Sequence, residues 1–211
     1  MSLWFCGVMK PSGRLTEEGL MGRNLYIADW HYNHANMLDY DNRPFKTVEE
    51  MNEALVERWN VATTPADTVY VLGDMFWGGV TKAIPVLDSL KGQKVLIVGN
   101  HDKCKNAEFR QRFAQIANYL EIVDGGKHVV LCHYPIPCFK NHFHGWYHLY
   151  GHVHSSFEWN MMEHTRMLLE NLYLRDCNMF NVGAMMPWMD YTPRTLEEIE
   201  ALSKLYRQKK A

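Results

Sequence analysis

Short apolar runs alternate with longer amphipathic stretches along this chain. Runs rich in β-branched or aromatic residues at Asn24 to Ala28, Thr68 to Leu72, Lys94 to Val98, His128 to Leu131 and Phe180 to Val182 predict strands. Thr47-Val48-Glu49-Glu50 has the form of a capping box, and Met51, Leu55 and Trp59 follow at helical spacing, so a helix is predicted to about Asn60. Further helices are predicted from Thr81 to Leu90 and from Lys105 to Tyr119, and Thr195-Leu196-Glu197-Glu198 caps an amphipathic one at the C-terminal end. Alternation of this kind implies an α/β fold.

Polar clusters follow the strands. Asp29 to His31 follows the first, Gly73-Asp74 the second, Gly99 to Asp102 the third and His133 the fourth, with Gly151-His152-Val153-His154 further on. In open α/β sheets ligands bind beyond the carboxyl ends of the strands, so these distant residues are expected to meet there. A one-residue spacing on an extended segment puts two side chains on one side of the chain, as in Asp29/His31 and His152/His154. Oxygen and imidazole donors without thiolate suit Mn, Fe, Zn, Co or Ni.

In order, type and spacing these blocks resemble the calcineurin-like metallophosphoesterases, whose motifs are DxH, GD, GNH followed by D or E, a lone H, and GHxH. The match runs from about Leu25 to His154, and the flanks Asp41 to Phe45 and the region of Asn60 look like small bacterial and phage members. The resemblance implies a four-layer α/β/β/α sandwich of two mixed β-sheets, with metals at one edge. It also implies two divalent cations, one held by Asp29, His31 and His154, the other by Asn100, His133 and His152, with Asp74 bridging. Such a pair binds hydroxide between its ions, and its charge exceeds that of two carboxylates, which attracts phosphate. His101 matches the family's general acid, and Asp102 the residue expected to orient it and favour its protonated form. One departure is Met75-Phe76-Trp77-Gly78-Gly79, where many members carry a further acidic or Asn residue.

Composition changes this picture only in places. With 211 residues, 47% of them hydrophobic, the chain is read as one domain over 1–211. The 22 basic and 24 acidic residues are scattered, so no electrostatic footprint marks a nucleic-acid or membrane binder. The expected substrate is a small phosphate mono- or diester, a nucleotide among the candidates. Nuclease action, known in the family, and a non-catalytic interaction scaffold are the alternatives. Cys6, Cys104, Cys132, Cys138 and Cys177 form no CxxC pair, which argues against a disulfide framework and suits a reducing cytoplasm. Met1 to Lys10 shows no basic leader, and no segment is long enough to span a bilayer, so a soluble cytoplasmic protein is expected.

Outside the blocks, His34 and Arg43 are candidate substrate contacts, and Asn60, His144 and His148 are further polar candidates for substrate or ligand support. Cys132 is expected in the core. Phe76, Trp77, Trp146 and Tyr147 could stack a nucleobase or wall a pocket, and are read here as packing. Asn181-Val182-Gly183 resembles the family's closing strand, which often ends near the metal centre.

Overall fold

Four parallel strands carry the first three site loops. β1 (Asn24–Ile27), β2 (Thr68–Val71), β3 (Gln93–Ile97) and β4 (Gln115–Ala117) pair in that order, in a computed structural model that describes residues 22–210. Cys6 and the reading of Met1 to Lys10 lie outside the described residues. Parallel strands are covered on both faces, which is why these runs are nearly continuously apolar. A single turn, α1 (Met37–Tyr40), follows the first loop. Helix α2 (Val48–Ala62) starts where Thr47 accepts a hydrogen bond from the Glu50 N–H at 3.2 Å, and buries Met51, Leu55 and Trp59. Helix α3 (Val80–Ser89) adds Ala83 and Leu87 to the same core.

The second sheet is mixed. β5 (Tyr119–Asp124) runs antiparallel to β6 (Lys127–Cys132), and β6, β7 (Tyr147–Tyr150) and β8 (Asn178–Asn181) are parallel. Side-chain alternation sorts this sheet into two faces. Val129, Leu131, Tyr147, Leu149 and Phe180 join the main core shared with the first sheet. Val130, Tyr150 and Met179 gather on the other face with Leu169 of α5 (Phe157–Tyr173). Helix α6 (Leu196–Lys210) packs against both β1 and β8. Ala28 joins the two sheets, donating to the Val182 carbonyl and accepting from the Ala184 N–H, both at 2.8 Å. This is the α/β sandwich expected, with the first sheet wholly parallel. No helix among the described residues is long and apolar enough to cross a membrane.

The helix predicted from Lys105 to Tyr119 is not formed. Only α4 (Ala107–Arg110) is helical, capped by the Asn106 side chain, and the chain then enters β4 and β5. Phe109, Phe113 and Ile116 fit a helical period, but the open edge of β3 wins. Ala114 N–H donates to the Lys94 carbonyl and Val98 N–H to the Ala117 carbonyl, both at 2.8 Å. Strand pairing supplies hydrogen bonds that a half-exposed helix would merely replace.

Candidate metal centre

The first two loops are zipped together beyond the strands. Asp29 N–H donates to Gly73 O at 3.0 Å, His31 N–H to Asp74 O at 2.9 Å and Tyr32 N–H to Met75 O at 3.0 Å. Asp29, His31, Asp74, His152 and His154 all have left-handed backbone, with φ of 50°, 47°, 54°, 71° and 49°. The DxH and GHxH pairs therefore do not lie on extended chain as expected. Left-handed residues alternating with Trp30 and Val153 turn both members of each pair into the site, while Trp30 and Val153 are buried. Each such residue costs about 1–3 kcal/mol, so the surroundings must hold it. Crowding explains Gly73: at φ 84°, a Cβ there would lie 2.3 Å from His133 Nδ1 and 2.7 Å from Gly99 Cα.

Two donor groups result. Asp29, His31 and His154 offer ligand atoms within 4.8 Å of one another, and so do Asp29, Asp74 and His133. His31 Nε2 faces His154 Nε2 at 3.3 Å. Asn100 Oδ1 lies 3.0 Å from His133 Nε2 and 2.9 Å from His152 Nδ1. Asp74 Oδ2 sits between the groups, 3.9 Å from His31 Nε2 and 3.6 Å from His133 Nε2.

Neighbouring groups fix the rings. His133 Nδ1 lies 2.8 Å from the Leu72 carbonyl, an acceptor to which it donates, and this leaves Nε2 pointing into the site. His154 Nδ1 lies 2.8 Å from Asp41 Oδ1, with the same consequence for its Nε2. Against the desolvation that lowers it, the Asp41 hydrogen bond and the charge of Asp29 hold His154 above its usual pKa. Burial pushes Asp29 up and His31 down, His31 further so by the charges of His154 and Arg43. Buried carboxylates beside facing imidazole nitrogens form a donor set that a divalent cation satisfies, and its oxygen and nitrogen composition fits Mn, Fe, Zn, Co or Ni.

The sequence profile of the calcineurin-like phosphoesterases matches residues 23–186. The chain belongs to that family. Among curated proteins, this phosphoesterase-family chain is 39% identical over 137 residues to the uncharacterized protein MJ1445 of Methanocaldococcus jannaschii, covering 64% of this chain and 71% of the relative. Among solved structures, it resembles a protein of unknown function, AQ665 from Aquifex aeolicus, with a TM-score of 0.64 and 26% identity over 86% of this chain and 99% of that one. Family membership and the candidate ligand clusters together support a metal-dependent phosphoesterase.

Some residues do different work in this phosphoesterase-family chain from that expected. Asp102 accepts hydrogen bonds from the N–H groups of Asp74, Met75 and Gly99 at 2.9, 3.0 and 2.8 Å, and no hydrogen bond to His101 is found among the described residues. Its carboxylate ties the second loop to the third. Arg43 does not face a substrate, because its side chain has 0% exposure. The guanidinium donates to the carbonyls of Trp30 and Asp29, both at 2.9 Å, and to Asp41 Oδ2 at 3.1 Å. His34 is buried and stacks on Trp77. Asn60 bonds Ser89 and Lys91, and His148 is buried between Val130 O and Ile136 N–H, so both support loops. His144 lies on the surface, 4.4 Å from the Phe143 ring.

Of the aromatics, Phe76 and Tyr147 pack in or against the core and Trp146 stacks on His128, while Trp77 stays 41% exposed. Cys132 is buried, as expected. Asn181 supports the last loop, donating to the His154 carbonyl at 2.8 Å. Asp41 was missed as a support for His154. Its only sequence signal is its place beside Arg43-Pro44-Phe45.

Proposed function

We propose that this chain hydrolyses a phosphate ester at a dinuclear centre, with His101 protonating the leaving alcohol. The carrying observation is Asp74 Oδ2, which lies 3.9 Å from His31, 3.6 Å from His133 and 3.9 Å from His101. One carboxylate oxygen thus lies within 4 Å of a ring nitrogen in each donor group and of His101. Asp29, His31 and His154 would hold one cation, Asn100, His133 and His152 the other, and Asp74 both. When bound, the pair acidifies water from a pKa of 15.7 towards ~7 and supplies positive charge for the phosphate.

His101 is placed by its own backbone, whose N–H donates to Asp74 Oδ1 at 2.9 Å. Its ring is 42% exposed, so it can exchange protons with solvent between turnovers. The neutral Asn100, in place of a third carboxylate, leaves the site cationic enough to hold an anion. The near balance of 22 basic and 24 acidic residues in the sequence favours a small ester as substrate. His101→Ala is expected to lower kcat by about 10²–10⁴ with metal content unchanged. Undiminished turnover of a chromogenic phosphodiester and its monoester by that variant would refute the assignment.

A further inference from the structure

Trp77 is exposed where the core has no need of it. Phe76 turns inward, its ring 5.9 Å from Trp30 and 5.8 Å from Tyr32, and Trp77 turns outward. The indole is nonetheless held firmly. Its backbone N–H donates to the Tyr32 carbonyl at 2.8 Å, its own carbonyl accepts from Asn33 at 3.3 Å, and its ring lies parallel to His34 at 3.8 Å.

Beside it opens a cavity of about 300 Å³ lined by Trp77, Asn100, His101 and Lys103. A second cavity of about 380 Å³ lies on the other flank, beside His152 and His154, with Asp41, Ser155, Ser156 and Glu158 in its walls. The two flanks therefore differ in chemistry. The first is walled by the Phe76 and Trp77 rings and rimmed by Lys103, its Asp102 carboxylate being taken up by three backbone N–H groups; the second carries Tyr40 but is edged by Asp41, Glu158 and two serine hydroxyls. A group bearing a flat apolar ring fits the first, and a polyanion spanning both would meet Glu158.

This inference rests on His101 as the proton donor. A donor must come within ~2.6–3.2 Å of the oxygen it protonates, so the leaving alcohol has to occupy the His101 flank. Trp77 is 5.2 Å from the His101 ring. We propose that the leaving alcohol is a nucleoside whose base packs against Trp77, which makes Trp77 the residue that selects the substrate.

Adenosine 5′-phosphate and ribose 5-phosphate share the leaving hydroxyl and differ by the base, so intrinsic reactivity is matched. With the metal-loaded protein, kcat/KM is expected to be roughly 5- to 100-fold higher for the adenosine ester, carried mainly by KM, as stacking of one base on one aromatic ring allows. Trp77→Ala should bring the ratio below about threefold, and Trp77→Phe should restore most of it. Equal kcat/KM for the two esters in the unmodified protein, or a preference that survives Trp77→Ala, overturns the proposal. Turnover of neither monoester leaves the hydrolase reading to the chromogenic diester and the base site to binding. Saturation-transfer NMR on the same compounds then decides the cavity: contact at the base protons that is lost in Trp77→Ala supports the proposal, and no contact overturns it.

Discussion

Asp41→Asn removes one charge and almost no volume from beneath the metal centre. Asp41 joins His154 to Arg43, and the side chains of Asp41 and Arg43 are 4% and 0% exposed. An asparagine that turns its oxygen to His154 Nδ1–H points its amide donors at the guanidinium. The arginine charge then stays buried with the carbonyls of Trp30 and Asp29 and the Met51 sulfur as its acceptors. Breaking a buried pair from one side costs about 3–5 kcal/mol, and the two remaining carbonyls argue for the lower end. For a chain of this size ~3 kcal/mol lowers Tm by roughly 6–12 °C. Loss of the carboxylate behind a ligating histidine should also weaken the cation at Asp29, His31 and His154 by about 10–100-fold. Denaturant unfolding of the metal-free protein measures the first effect, and calorimetric titration with Mn²⁺ the second. A stability change below about 1 kcal/mol, well under the cost of an unpaired buried charge, together with unchanged affinity, would refute the role given to Asp41.

Gly73→Ala should disrupt the centre, since a Cβ there would overlap the His133 ring in a backbone conformation that alanine resists. Metal binding by this variant should fall more than its helix content by circular dichroism, and full binding would contradict the packing described. Asp67 predicts part of the acid limb of stability. Against desolvation, which raises its pKa, hydrogen bonds from the Arg23 side chain and the Thr64 and Arg23 N–H groups hold it down to about 2. A carboxylate depressed in the folded state adds stability above its unfolded pKa, near ~3.9, that is lost as pH falls towards 2. Asp67→Asn should therefore flatten stability against pH over that window and lower it near neutrality; an unchanged acid limb would count against it. Chelation of a bound metal should lower Tm, since a ligand at 100 times its Kd stabilises by about 2.7 kcal/mol, or roughly 5–11 °C here. An unchanged melting curve after chelation of metal-loaded protein would speak against a site held together by cations.

Much of the site was legible in the sequence because its chemistry is local. Every block but the lone His133 pairs a ligand type with a glycine or a short spacing, and the apolar runs before Asp29, Asp74, Asn100 and His133 do form β1, β2, β3 and β6. What was not legible depends on partners distant in sequence. The Phe109, Phe113 and Ile116 pattern fits a helix until the edge of β3 is taken into account. Strand β7 contains His148, whose burial is possible only because Val130 and Ile136 satisfy its ring. Helix α5 buries Leu169 but leaves Met161, Leu168 and Leu172 half-exposed or more, so it shows no clean apolar stripe. Arg43 read as substrate-facing because it sits near the motifs, and Asp102 as acid-orienting because it matches the family's motif. Only the three-dimensional arrangement turns Arg43 towards the carbonyls of the first loop and Asp102 towards the N–H groups of the second and third.

The most direct test is calorimetric titration of metal-stripped protein with Mn²⁺, with phosphoester hydrolysis followed on the same samples. Two bound ions per chain, with turnover appearing as the second site fills, is the predicted result. One ion at saturation, or turnover by fully stripped protein, would contradict a dinuclear hydrolase.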